Sequence, residues 1–272
     1  MTESDQRFER LPRSFKNRFP FRLSAPSFIH PAHWVPNIRM LAPDLDEIEV
    51  LLFDSAQPAD FPAESDIDEM ALLAAEYDLR YNIHLPSDVS PGSPDADCRR
   101  RAVDTIARAV NLTRPLAPTT RVLHLPLDVP ETTAGEIGRW QARLAESIHA
   151  LIAGGIPGTF FSVENLDYPL EWVRPLIDTF DMAVCLDLGH LLARRIDWQA
   201  ELGIWRDRVN MIHLHGVDAD RDHRALTALA PETLTRICDA LRAFNGTVSV
   251  EVFSFDDLKE SLVCLEKCWQ NR

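Results

Sequence analysis

Eight short runs dominated by Val, Ile, Leu and Phe recur along the chain with longer stretches between them, and this alternation limits the possible folds more than any other feature. The runs are FRLSAPSFI (21–29), EIEVLLFD (47–54), RYNIHLP (80–86), TRVLHLPL (120–127), FFSVENL (160–166), MAVCLDLGH (182–190), VNMIHLHGV (209–217) and GTVSVEVFS (246–254). Most intervals carry apolar residues at helical spacing, as in ESDIDEMALLAAEYDL, DADCRRRAVDTIARAVNLT, GEIGRWQARLAESIHALIAGG and PETLTRICDALRAF, and DDLKESLVCLEKCW follows the last run. The first interval, HPAHWVPNIRMLAPDLD, is rich in proline and predicts an irregular loop with a helical turn. Strict alternation of strands and helices predicts a parallel sheet closed as a (β/α)8 TIM barrel, with an open doubly wound sheet as the weaker alternative. A chain of 272 residues matches one such barrel. The expected organisation is a loosely ordered lead-in over residues 1–20 and a single barrel domain over residues 21–272.

Composition excludes several function classes. With 46% apolar and 26% charged residues the chain reads as a soluble globular protein. No uncharged apolar run approaches the roughly 18 residues of a membrane span, so no membrane partner is expected. The N-terminal stretch lacks the apolar segment and cleavage site of a secretory signal. Five cysteines, odd in number and without a CxxC pair, argue against a disulfide framework and for a reducing cytoplasm. A net charge of −14 repels polyanions, so no nucleic-acid partner is expected. No Gly-rich phosphate loop or GxSxG elbow follows a strand.

The polar residues within the strands carry the chemistry. In a parallel barrel, side chains two apart share a face. Asn82 and His84, Val122 and His124, Ser162 and Glu164, Cys185 and Asp187, His213 and His215, and Ser249 and Glu251 are such pairs, separated by apolar residues suited to the outer helices. Eight of the nine histidines (His30, His33, His84, His124, His190, His213, His215, His223) fall late in a strand or in the following loop. Those positions map to the C-terminal rim, where barrel enzymes place their chemistry. Taken singly, an inward histidine reads as a hydrogen-bonded core residue. Taken together, Glu164, Asp187 and Glu251 are too costly to bury near one another without cations, and the strands offer few basic residues. Imidazole and carboxylate ligands suit divalent zinc, with manganese or iron as alternatives. A carboxylate such as Glu164 could bridge two ions, an arrangement suited to in-line phosphoryl displacement.

The order of histidine on the third and fourth runs, glutamate on the fifth, DLGH at the sixth, HLHG at the seventh and glutamate on the eighth resembles the xylose isomerase-like barrel superfamily, and within it the endonuclease IV branch. The resemblance covers nearly the whole chain after residue 20. It implies that His84, His124 and Glu164 hold one ion, that Glu164, Asp187, His213 and Glu251 hold a second, and that His190 with Asp222 and His223 holds a third. That third site departs from the family spacing, because Asp222 directly precedes His223, with Asp220 and His215 as further candidates. The single-metal sugar isomerases and epimerases of the superfamily use positions like Glu164, Asp187, His213 and Glu251, and do not generally need the His84 and His124 pair.

Three segments, LSAPSFIHPAHWVPNIRMLAPDLDEIEVLLFDS, YNIHLPSDV and HLHGV followed by DH, are similar to the cobamide-remodelling phosphodiesterase family (CbiR). The similarity implies a corrinoid substrate, cleaved to cobinamide phosphate and an α-ribazole-type nucleoside. Glu164 and Glu251 are then the expected catalytic carboxylates, Glu251 holding or deprotonating the nucleophile, while His190 and His223 stabilise the leaving oxygen. Expected substrate contacts are His30, Glu49, His215, Arg221 and Arg224, Glu49 touching either substrate or a metal-bound histidine. The alternatives are a single-metal sugar or keto-acid isomerase, and a non-catalytic binding protein with a structural ion. Cys185 carries no nucleophile signature, Cys264 and Cys268 read as packing groups, and Arg99 to Arg101 as a solvated helix face.

Overall fold

In the computed structural model, which describes residues 8–218 and 221–270, the apolar runs form a closed barrel of eight parallel strands. These are β1 (Arg22–Pro26), β2 (Glu47–Leu51), β3 (Arg80–His84), β4 (Arg121–Leu123), β5 (Phe161–Glu164), β6 (Ala183–Asp187) and β7 (Val209–Leu214), then, after an antiparallel hairpin of β8 (Gly216–Asp218) and β9 (Arg221–Arg224), the closing strand β10 (Thr247–Val250). Strands pair in chain order, and β10 closes the ring between β7 and β1. Both faces of a parallel strand are covered, by the interior on one side and helices on the other, which is why the runs are nearly continuous in apolar residues.

The helices are α1 (Trp34–Leu41), α2 (Glu64–Tyr77), α3 (Ala96–Leu112), α4 (Ala134–Ala153), α5 (Arg174–Thr179), α6 (Leu188–Ala193), α7 (Trp198–Trp205), α8 (Pro231–Leu241) and α9 (Phe255–Gln270). The first connection is more regular than its prolines predict. Pro36 falls in the first turn of α1, where a missing N–H has no helical partner to lose. The buried Asn37 then ties down the proline-rich approach: its amide donates to the carbonyls of His30, Ala32 and His33, and its oxygen accepts the His30 N–H.

Residues 8–20 also differ from the expected loose lead-in. Phe15 is fully buried and its N–H donates to the Asp44 carbonyl at 2.9 Å, the Asn17 N–H reaches the Asp46 carboxylate at 2.8 Å, and Phe19 and Phe21 pack edge-on against Trp269. Residues 1–7 lie outside the described residues, as does Asp220.

The barrel interior is layered. Val122, Cys185 and Met211 form a small apolar plug, and burial there pushes the Cys185 thiol above its ordinary range. Toward the strand starts, the fully buried Glu47 accepts hydrogen bonds from Arg22, Asn82, Thr119 and Thr247, so all of its charge is answered within the protein. Toward the strand ends the interior residues are histidines and carboxylates. Among the described residues no helix is long and apolar enough to cross a membrane, and the five cysteines are free.

Candidate metal centre

Each candidate ligand sits where a strand runs out at the barrel mouth. His84, Glu164 and Asp187 are the last residues of β3, β5 and β6, His213 lies one residue before the end of β7, and His124 and Glu251 directly follow β4 and β10. The strand period of two turns them inward. Asp187 has a second structural role as N-cap of α6, its Oδ1 accepting the His190 N–H at 2.8 Å. That turn lays His190 across the mouth with Nδ1 3.3 Å from Asp187 Oδ2. Asn165 holds Asp187 from behind, accepting its N–H at 2.6 Å and donating to its carbonyl at 3.1 Å. Gly189 is required by close approach: a Cβ there would lie 2.0 Å from the His215 ring. The β8–β9 hairpin folds back and delivers His223, held in the left-handed region at φ 49° while its N–H donates to His215 Nδ1 at 2.9 Å.

Three groups of candidate ligands result, each with ligand atoms mutually within 4.8 Å: His84, His124 and Glu164; Glu164, Asp187, His213 and Glu251; and His190, His215 and His223. Glu164 belongs to the first two. Its Oε2 lies 2.7 Å from His124 Nε2 and 3.4 Å from His84 Nε2, and its Oε1 lies 3.2 Å from His213 Nδ1. The Glu251 Oε2 is 3.1 Å from His213 Nδ1, and Asp187 Oδ1 is 3.2 Å from His215 Nε2.

Outer partners fix which nitrogen faces the centre. His84 Nδ1 lies 3.0 Å from the Leu85 carbonyl, leaving Nε2 inward, and His213 Nε2 lies 3.0 Å from Glu49, leaving Nδ1 inward. A carbonyl or carboxylate behind a ligating imidazole is the arrangement that orients histidines at metal sites.

The electrostatics define what this centre lacks. Burial alone would drive Glu164, Asp187 and Glu251 toward the neutral acid, yet His213 and His124 hold Glu164 well below the ordinary carboxylate range, His215 and His190 hold Asp187 down at about 2, and His213 lowers Glu251. Burial likewise disfavours charged imidazoles, but Glu164, Glu49 and Glu251 keep His84 raised, Cys185 with Glu251, Glu49 and Glu164 keeps His213 well above its usual value, and Asp187 lifts His215 to about 9. Among the described residues no Lys or Arg pairs with these carboxylates, so without metal the charge is balanced by protons on histidine. Glu251 Oε2 is buried with His213 Nδ1 at 3.1 Å and His223 Nδ1 at 3.6 Å, neither in good hydrogen-bond geometry. A carboxylate oxygen answered only by poorly aligned imidazoles, a carboxylate shared between two ligand groups and outer-held imidazoles all fit divalent cations, with a nitrogen and oxygen donor set suited to zinc, manganese or iron.

The remaining expected residues are placed as follows. Glu49 is fully buried beneath the ligand layer with both oxygens engaged, by His213 and by Ser249 at 2.6 Å, which suits the expected support of a ligand histidine. Asp222 sits at the edge, its Oδ2 3.8 Å from His190 Nε2, whereas His215 lies inside the third group. His30, expected as a substrate contact, is stacked between Phe8 and Phe255. Arg221 pairs with Asp218 on the exposed hairpin, and Arg224 is exposed on the same strand, so neither is held against the centre. Sequence reasoning passed over Asn165, whose signal was its place directly after Glu164. It also passed over Phe53 and Phe253, whose rings stand 5.1 Å from His84 and 4.8 Å from His223.

The fold and this layer of side chains define a (β/α)8 barrel with candidate metal ligands gathered at its C-terminal mouth. Residues 44–268 match the family described as the xylose isomerase-like TIM barrel, and the chain belongs to that family. Its fold is shared with a D-tagatose 3-epimerase-like protein (16% identity, 92% of this chain and 98% of that one, TM-score 0.74). It is shared also with an L-ribulose 3-epimerase (20% identity, 92% and 96%, TM-score 0.66) and with endonuclease IV from Thermus thermophilus (15% identity, 92% and 99%, TM-score 0.69). No curated protein matches the sequence. At these identities the likeness establishes the fold alone. The family holds enzymes, and the neighbours by name sit nearer to the isomerase or epimerase expectation than to cobamide cleavage.

Proposed function

We propose that the protein is a metal-dependent phosphodiester hydrolase acting on a cobamide. The observation that carries the hydrolase reading is that Glu164 joins two ligand groups, with a third, His190, His215 and His223, alongside. A single-metal centre leaves His84, His124 and the third group without an ion to hold, so that His84 or His124 would contact a sugar hydroxyl instead, whereas adjoining ions suit both oxygens of an in-line displacement. When bound, divalent cations would polarise the phosphoryl oxygens and lower the pKa of water.

The chain's own groups then divide the work. Glu251, buried at the centre with Oε2 3.1 Å from His213 Nδ1, is placed to accept the proton of the attacking water on a carboxylate oxygen not turned to an ion, as the water oxygen bonds to phosphorus. His190 and His223, each with a side chain 23% exposed, border the mouth beside the oxygen that leaves as the phosphorus–oxygen bond breaks, and would stabilise it through an ion they hold or, with no ion on them, by donating its proton. Glu164 and Asp187 hold the centre's geometry. The cobamide assignment rests on the sequence segments similar to the cobamide-remodelling family. A cleft of about 480 Å³ lined by Phe28, His33, Trp34 and Phe53 adjoins the centre through Phe53, whose ring stands 5.1 Å from His84, and offers an apolar wall for part of a substrate.

The second reading is a sugar epimerase. It is favoured by the complete group of Glu164, Asp187, His213 and Glu251, in which Glu164 and Glu251 flank His213, and by the epimerases among the structural neighbours. Chromatography of adenosylcobalamin after incubation with metal-loaded and metal-stripped protein, with ketohexoses in parallel, separates the two. Release of cobinamide phosphate and α-ribazole by the metal-loaded sample alone is expected. Ketohexose interconversion with an intact cobamide would replace this reading by the second.

A further inference from the structure

At the opposite end of the barrel, Arg121 is buried without a counter-charge. It opens β4, and because Val122 points into the interior plug, Arg121 faces outward. The residue is only 4% exposed, its guanidinium lies over the Phe160 ring at 4.8 Å, and its Nε is buried with no hydrogen-bond partner. Among the described residues no carboxylate pairs with it, and the charge near enough to perturb it is a second cation, Arg114. Among the described residues the Arg114 guanidinium makes one hydrogen bond, to the neutral Asn111 side chain at 2.9 Å. Such a pair is unexpected in a chain with 42 acidic and 28 basic residues. Both arginines line a cavity of about 530 Å³ together with Thr119, Thr159 and Phe160, between the loops that enter β4 and β5. A guanidinium does not shed its proton, and burying it unpaired is strongly unfavourable unless an anion joins it.

We propose that this cavity binds a small oxyanion of the phosphate type, held by Arg121 and Arg114. The guanidinium fork matches such oxygens in a bidentate manner, and two cations answer a dianion better than a monocarboxylate. The cavity exceeds the volume of bare phosphate, leaving room for a small organic group against Phe160. Nothing in this assignment depends on the metal centre, which lies at the other end of the strands.

The test is diffraction from crystals of the full metal-loaded chain soaked in selenate, read by anomalous scattering, with inorganic phosphate titrated in solution alongside. A selenium peak within hydrogen-bonding distance of Arg121 is expected, together with phosphate binding weakened about tenfold or more in Arg114→Ala, since charged hydrogen bonds are the stronger ones. Arg114 is exposed, so this variant keeps the fold should Arg121→Met fail to do so. Turnover at the metal centre stays unchanged in Arg114→Ala. Absence of the peak, or a peak and phosphate affinity unaltered in Arg114→Ala, overturns the proposal.

Discussion

Replacing Glu164 by Gln tests the bridging geometry more severely than any other single change. Gln keeps the shape of the side chain and one carbonyl oxygen, so packing at this buried position is preserved while the charge is removed. In the native arrangement one carboxylate faces His124 at 2.7 Å, His84 at 3.4 Å and His213 at 3.2 Å. Losing it removes a ligand from two groups at once, whereas loss of Asp187 or Glu251 would affect one of the two Glu164-containing groups. Even an outer partner of a metal ligand is worth about 10- to 100-fold in affinity, so a shared inner ligand should exceed ~100-fold at each of the two positions, or about 3 kcal/mol apiece. Turnover should fall by ~10³ or more, because both phosphoryl oxygens lose part of their stabilisation. The assay is metal content by elemental analysis after dialysis against a graded chelator, paired with cobamide cleavage, with circular dichroism as the control for folding. A folded Glu164→Gln protein that retains the wild-type metal content and rate would refute the bridging role.

Three further outcomes follow from the same geometry. Glu49→Gln should weaken metal binding by about 10- to 100-fold through His213 while leaving the metal count at saturation unchanged, as measured by competition with a chromophoric chelator; a loss of one whole ion would contradict its supporting position. In the metal-free protein, His215, raised to about 9, stabilises the fold fully below its ordinary 6.5 and loses that contribution as pH rises through 9, while Asp187, lowered to about 2, contributes above 3.8 and loses it as pH falls through 2. Metal entry must displace those histidine protons, so affinity should rise between about pH 6 and 9 with proton release visible by calorimetry in buffers of different ionisation enthalpy, and a pH-independent affinity would count against the assignment. Gly189→Ala places a methyl group 2.0 Å from the His215 ring, so the fold should survive with a cost of about 1–3 kcal/mol while the third ligand group is disrupted, a change visible in metal stoichiometry.

Much of this architecture was legible in the sequence because two periodicities carried it. Strands buried on both faces read as apolar runs, and polar residues at alternate positions near their ends had one face to occupy. That logic places His84, His124, Glu164, Asp187, His213 and Glu251 together without further information. It fails where position depends on irregular backbone. The α1 helix reads as no more than a helical turn in a loop because proline counts as a breaker even where it stands in a first turn, and α6 is missed because six residues are too few to show a helical period. The third ligand group depends on a hairpin and on a left-handed residue, His223, so the choice between His215 and Asp222 had no signal in spacing. The engagement of Glu49 with His213 and Ser249, and of Glu47 with four donors beneath them, is set by register between strands that are distant in sequence.

The central claim is that this mouth holds adjoining metal ions joined by one carboxylate, and anomalous diffraction from metal-loaded crystals tests it most directly. The account predicts at least two peaks flanking Glu164, one on the side of His84 and His124 and one on the side of Asp187, His213 and Glu251. A single peak within the Glu164, Asp187, His213 and Glu251 group, with His84 and His124 unligated at saturating metal, would contradict it and bring the epimerase reading forward.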